Sequence, residues 1–320
     1  AMVREVTTNI EGKATGVSYI NKEDRKEYKL KGKIVVLAAS ACSSARILLN
    51  SKSEQHPNGL GNSSDIVGKY LHDSTGGSRS AFIPDLMNRQ MYNEDGVGGM
   101  HVYTPWWLDN KKLDFARGYH IEVWGGMGMP GYGFGFNHND FNKYFGLKVG
   151  GYGNPLRDEI KKYYGSTVGF GGRGESIPQK NNRCEIDPTT VDEFGIPVLK
   201  FNYQWTEHEI KQVGHMHDTF EELIHNMGGE VLGGKPSRAE KNGIYAPGEI
   251  IHEVGTTRMG DDPKTSVVNQ HQQLHDVNNV FIVDAGPFVS QADKNPTWTI
   301  LALSWRTSDY IIEQLKMQNI

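Results

Sequence analysis

Two short stretches carry the residue types and spacing that could do chemistry. The first is His252-Glu253-Val254-Gly255-Thr256-Thr257-Arg258-Met259-Gly260. The second is Val280-Phe281-Ile282-Val283-Asp284-Ala285-Gly286, followed by Asn295-Pro296-Thr297. His252 stands just before a tight Gly255-Thr256 turn. A neutral imidazole beside a hydrogen-bonding amide suits removal of a proton from an alcohol. Asn295 precedes proline at an expected helix start. Asn is a good cap there, and proline at the first helical position lacks only an N–H that has no helical partner anyway. The remaining free N–H groups and the positive dipole end favour a ligand that carries or gains negative charge.

Other candidates carry less. Gly169, Gly171 and Gly174 spell G-x-G-x-x-G, but Glu175-Ser176-Ile177-Pro178 follows where a nucleotide-binding helix would have to run. These are read as strand glycines. His215 and His217 point to different faces of a helix, because only positions three or four apart are neighbours. His271 and His275 stand on an extended segment. No metal site is expected. Cys42 and Cys184 are the only cysteines, too few for a disulfide framework or a thiolate cluster.

The elements that must position these residues follow from hydrophobic period. Val3 to Thr8, Ala14 to Asn21 and Glu27 to Lys31 predict a three-stranded meander. Lys33 to Ala39 is a continuous apolar run, the mark of a strand buried on both faces. It leads through small residues into a helix at Ala45-Arg46-Ile47-Leu48-Leu49-Asn50. Short strand-like runs at Ser78 to Ile83, Gly99 to Thr104, Tyr119 to Trp124, Gly165 to Gly171, Arg183 to Ile186 and Val198 to Tyr203 predict a mainly antiparallel sheet. Trp124 to Gly153, rich in Gly, Met and aromatics, reads as a surface loop or a substrate-facing lid. Thr206 and Glu209 form a capping box for a helix whose apolar face runs from Ile210 to Met227. Gly228-Gly229 stops it. Val280 to Val283 is a buried strand, and a last helix runs from Pro296 to about Leu315.

With 34 Lys+Arg against 38 Asp+Glu there is no basic excess, which argues against nucleic acid as partner. No apolar run approaches the length of a membrane span. The first residues already look like a strand, with no signal-peptide pattern.

The quoted stretches resemble the C-terminal signature of the glucose–methanol–choline (GMC) oxidoreductases, FAD-dependent flavoproteins. Ala39-Ser40-Ala41-Cys42-Ser43-Ser44-Ala45-Arg46-Ile47-Leu48-Leu49 is similar to the family's second signature. Val67-Gly68-Lys69-Tyr70-Leu71-His72-Asp73 is similar to its next segment. The closest match in motif is to bacterial sugar dehydrogenases and pyranose-oxidase-like members. The resemblance implies that His252 is the base and Asn295 the second active-site position. It implies that Asp284 and Ala285 meet the FAD pyrophosphate and ribityl, with Pro296 and Thr297 near the flavin pyrimidine edge. The implied reaction is oxidation of an alcohol group of a sugar or polyol, with hydride passing to flavin N5 and the electron acceptor unspecified.

The family's N-terminal G-x-G-x-x-G unit has no counterpart here. The chain is therefore expected to be the C-terminal portion, partnered by a missing FAD-binding half and holding FAD only weakly alone. The expected fold is α+β. Residues 1–75 and 246–320 form a partial Rossmann-like FAD-binding α/β domain, and 76–245 a mainly antiparallel β-sheet substrate domain with helices. The alternative reading is a catalytically silent carbohydrate-binding or interaction fragment. The bacterial resemblance leaves cytoplasm and periplasm both open.

Overall fold

The computed structural model describes residues 1–90, 100–104, 110–125 and 153–320. The chain begins with an antiparallel meander of β1 (Met2–Thr8), β2 (Ala14–Ile20) and β3 (Glu27–Lys31), in that spatial order. Alternation does the work expected of a one-sided sheet. On β2, Ala14, Gly16, Ser18 and Ile20 are buried. Next come β4 (Val35–Leu37) and α1 (Ala41–Asn50).

A five-stranded antiparallel sheet follows. It contains β5 (Thr75–Phe82), β6 (Met100–Val102), β7 (Tyr119–Gly125) and β8 (Thr167–Gly174). A helix the sequence did not announce, α2 (Asn154–Tyr163), lies between β7 and β8. The hairpin β9 (Arg183–Val191) and β10 (Pro197–Asn202) leads into α3 (Glu207–Asn226). A short strand β11 (Glu230–Leu232) completes the large sheet in the order β11-β5-β8-β7-β6. Far along the chain, β12 (Val280–Ile282) pairs in parallel with β4, and α4 (Thr297–Lys316) closes the fold. The result is a mixed α/β protein with antiparallel sheets.

Two large apolar cores form among the described residues. One joins the two ends of the chain: Val6, Leu37, Ala45 and Leu48 pack with Val268, Leu274, Val280 and Ile282. Cys184 from β9 also enters this core. The other lies between the five-stranded sheet and α3, with Tyr119, Ile121 and Phe170 against Val213, Met216, Phe220 and Ile224.

The expected capping box is present. Glu209 accepts from the Thr206 N–H at 2.8 Å, and the Thr206 side chain accepts from the first turn. The glycines of the apparent nucleotide motif lie in β8. A Cβ at Gly169 or Gly171 would come within 2.1 or 2.4 Å of the Trp124 ring, so their bareness seats an indole.

Three expectations need correction. The run Lys33 to Ala39 gives only the three residues of β4, and Val36 is 48% exposed rather than covered on both faces. Among the described residues β4 has only β12 paired beside it. Second, α4 has no side-chain cap: Pro296 takes the cap position with helical dihedrals, and Asn295 is exposed. Third, Glu230 to Leu232 is a strand, although nothing directly after the Gly228-Gly229 stop predicts one. It is too short to show a period and is held by pairing with β5. Of the expected lid, residues 126–152 lie outside the described residues.

Candidate active site

Backbone hydrogen bonds zip the two chemistry-bearing stretches together. The N–H groups of Gly255, Thr257 and Met259 donate to the carbonyls of Ala285, Gly286 and Pro287 at 3.2, 3.0 and 2.8 Å. Gly255 sits at φ +93°, and a Cβ there would lie 2.5 Å from the Tyr70 carbonyl and 2.6 Å from His72 Nδ1. Only glycine lets the turn pass this close to the 70–72 segment.

That segment is the other support of His252. His72 and Val254 exchange N–H···O bonds of 3.1 and 2.8 Å, an isolated antiparallel bridge. One residue on, the His252 N–H donates to Asp73 Oδ1 at 3.0 Å. The Ser74 hydroxyl stands 3.3 Å from His252 Nδ1. His252 is half-buried. Burial, helped by the positive charge of Arg173, holds its pKa below the usual 6.5, with the Glu122 carboxylate pulling the other way. The ring is therefore a neutral acceptor at neutral pH, as a base must be.

Arg173 and Glu122 belong to a polar wall on the five-stranded sheet. In the β7–β8 pairing His120 lies opposite Arg173, and Glu122 is two residues along on the same face. Arg173 Nη2 is 3.3 Å from Glu122 Oε2. His120 has Glu122 on one side and Asp293 on the other, each at 3.5 Å. Burial opposes its charge, but the two carboxylates outweigh it and raise its pKa. The Lys294 ammonium lies over the Tyr103 ring, 4.6 Å from its centroid.

This wall connects the predicted residues. His252 feels its charges, and Asp293, two residues before Asn295, contacts it. Asp293 thus brings the Asn295 loop to the β7–β8 face, and the charges of that face act on His252. Asp284 lies behind, at the end of β12. Its carboxylate accepts from Ser44 Oγ at 2.5 Å and from the Gly286 N–H at 2.8 Å, tying β12 to α1. Burial raises its pKa despite these bonds. Ala285 is buried in a small cluster with Ala41, Val254 and Phe288. Ile300 and Leu303 of α4 pack on that cluster, and Ser304 Oγ donates to the Val283 carbonyl at 2.8 Å. The α4 start, Pro296 and Thr297, is held at the same corner. Of these two, Pro296 is half-buried and Thr297 exposed.

Ser74, His120, Glu122, Arg173 and Asp293 are not singled out by sequence. The alternation of His120 and Glu122 is a usable signal for one strand face. Pairing with Arg173 joins neighbouring strands that are far apart along the chain, and leaves no local mark. Among the described residues no group of three or more His, Cys, Asp or Glu could hold a metal ion, and no helix is long and apolar enough to cross a membrane.

Comparison with known proteins follows the same lines. Residues 178–304 match the family model of the GMC oxidoreductases. Over these residues the chain is similar to the C-terminal domain of the GMC oxidoreductases. It is 29% identical over 312 residues to 2-methyl-1,2-propanediol dehydrogenase of Mycolicibacterium austroafricanum, covering 97% of this chain and 53% of that protein. It is 24% identical over 323 residues to the gluconate 2-dehydrogenase flavoprotein of Pantoea cypripedii, covering 98% of this chain and 49% of that one. Among solved structures, pyridoxine 4-oxidase from Mesorbium loti superposes with a TM-score of 0.59 at 16% identity. That likeness covers 96% of this chain and 56% of the other, and speaks for the fold. The chain spans about half the length of the curated relatives it matches.

Proposed function

We propose that this chain is of the GMC type and supplies the active-site portion of an FAD-dependent enzyme that oxidises an alcohol group of a sugar or polyol. The observation that carries the reading is the seat of His252. Its imidazole is held neutral by burial and lies within the electrostatic reach of Arg173, Glu122 and His120, which pair among themselves on the β7–β8 face. It is also zipped through Gly255 and Thr257 to the β12 end.

In this reading His252 accepts the proton of the substrate hydroxyl. Asn295 holds the same oxygen by hydrogen bonding. The β7–β8 wall offers both donors and acceptors on one face, which suits a molecule with several hydroxyl groups better than an apolar alcohol.

FAD, when bound, supplies the hydride acceptor. The residues present fit such a group. The small residues Ala39-Ser40-Ala41 lead into α1, with Ser40 at φ +82°, a strained value for a residue with a Cβ. The first turn of α1 carries no acidic side chain. The buried Thr257 hydroxyl has no hydrogen-bond partner. A Cβ on Gly286 would meet that hydroxyl at 2.3 Å. Since the Asp284 carboxylate is engaged within the protein, it serves the cofactor by fixing this turn. Ala285, Pro296 and Thr297 complete the edge.

Residues 1–75 and 246–320 are assigned to the flavin domain, and 76–245 to the substrate domain. In this reading the rest of the flavin domain would pack on the apolar face of α4 and the open side of β4. The chain alone is accordingly expected to hold FAD weakly, and purified material carrying about one equivalent of flavin would contradict this.

The reading is tested with His252→Ala in a reconstituted full-length protein. Loss of a general base lowers turnover by roughly a factor of a hundred to ten thousand. Unchanged turnover removes His252 from the base role.

A further inference from the structure

We infer that Asp73 and Ser74 are positioning residues for His252: the Asp73 carboxylate fixes the backbone that carries the ring, and the Ser74 hydroxyl accepts from Nδ1–H so that Nε2 is left bare toward the substrate side. The inference rests on the reading of His252 as a base and adds how the base is aimed and which tautomer it holds.

The geometry is specific. Asp73 is 1% exposed and Ser74 fully buried. Asp73 Oδ1 accepts from the N–H groups of both His252 and Ser74, at 3.0 and 2.7 Å. Asp73 is itself held from two directions. Its N–H donates to Tyr203 Oη at 3.0 Å, and its carbonyl accepts from Ser176 Oγ at 2.7 Å. The His72–Val254 bridge sits directly alongside. The segment 72–74 therefore forms a rigid rail under His252.

Two features make little sense as fold stability alone. The first is Ile251, at φ +62° and 76% exposed. A β-branched residue in the left-handed region is strained, and persists only where its surroundings over-determine the backbone. The Asp73 bond to the very next N–H does that. The second is Asp73 Oδ2, which is buried without a hydrogen-bond partner. Burial, with the charge of Glu253 nearby, raises the Asp73 pKa to about 6, although the backbone N–H groups around the carboxylate pull the other way. An asparagine or a packed apolar residue would serve the fold better. A buried carboxylate kept at such a cost is expected where it organises a working group. The free His252 nitrogen follows by elimination. Nδ1 is occupied by Ser74, so Nε2 is the atom left for a substrate hydroxyl.

The test uses the chain as it stands, labelled with ¹⁵N-histidine, with His252 signals identified by their absence in His252→Gln. The parent is expected to show the Nδ1–H tautomer at neutral pH. Ser74→Ala should shift the tautomer ratio roughly fivefold toward Nε2–H, the factor that one hydrogen bond of about 1 kcal/mol supplies. Asp73→Ala should speed exchange of the His252 amide hydrogen by about tenfold, and Asp73→Asn, which keeps an acceptor oxygen, should restore most of the protection. The inference is overturned by an Nε2–H tautomer in the parent, by an unchanged ratio in Ser74→Ala, or by unchanged amide exchange in Asp73→Ala. If Asp73→Ala does not fold, Ser74→Ala, which removes a single hydroxyl, decides the matter. These readouts do not depend on turnover. A failed tautomer shift alongside an inactive His252→Ala enzyme would sink the positioning role and leave the base standing. The reverse pattern would leave the rail and remove the base.

Discussion

Helices α3 and α4 have the same length, 20 residues each, and opposite fates. α3 buries Ile210, Val213, Met216, Phe220 and Ile224 against the five-stranded sheet. α4 has a single buried residue, Thr307, and leaves Trp298 84% and Trp305 74% exposed, with Leu301, Ile312 and Leu315 beside them. Both sequences are rich in apolar residues. The difference lies in what each finds to pack on. The sheet beneath α3 is complete. Among the described residues the parallel pair β4–β12 near α4 is two strands wide, and Val36 on it is also exposed. A contiguous apolar face of this kind marks an interaction surface. Here it belongs to the portion of the fold that the proposed flavin domain would share with the rest of a longer relative.

The comparison can be broken most directly at Phe220. Its ring is fully buried and tilted against Phe170 at 6.2 Å between centroids. Phe220→Ala should destabilise the chain by about 3–5 kcal/mol, read as a lower urea midpoint. A loss below about 1 kcal/mol would mean that the sheet core is not the stabilising unit.

Acid should weaken both regions. His217 on α3 and His72 beside the candidate site are buried, and burial lowers each pKa to about 4, with the positive charges of Arg79 and Arg258 respectively adding to it. A histidine depressed in the fold stabilises it above the unfolded value of about 6.5. That contribution is lost as pH falls from there toward about 4. Each ring carries on the order of 3 kcal/mol over this window. The urea midpoint should fall across it, and His217→Gln should flatten the fall. A midpoint that stays level between these pH values refutes the assignment.

A smaller effect belongs to the caps. Thr206→Ala removes the capping box of α3 and should cost about 1 kcal/mol in the same measurement. On α4, which has no side-chain cap to lose, Asn295→Ala should leave stability unchanged within about 0.5 kcal/mol. The smallest expected change is at Trp305. Replacing it with Ser should alter the chain's own stability by no more than about 0.5 kcal/mol while raising its solubility. A large stability loss there would show that α4 is packed as α3 is.

Much of the site is legible in the sequence. His252, Asn295, Asp284 and the helix start at Pro296 can be named because their signals are local: a turn glycine, a proline at a helix start, a strand run of Val and Ile. The capping box at Thr206 and Glu209 is readable for the same reason. The cap at Asn295 fails because a favourable residue type does not ensure that its side chain folds back onto the helix. The wall of His120, Glu122 and Arg173 is invisible along the chain because it depends on which strand lies beside which. Asp73 closes a recognisable motif and Ser74 follows it, yet their bonds to His252 span 179 residues for Asp73 and 178 for Ser74.

The sequence by itself determined most of the elements and pointed to the candidate base and to the family resemblance, since period, turn chemistry and motif are properties of neighbours along the chain. Tertiary structure alone decided what His252 leans on, which charges face it and which helix is left uncovered. Those are properties of surfaces brought together from distant residues, and no local pattern encodes them.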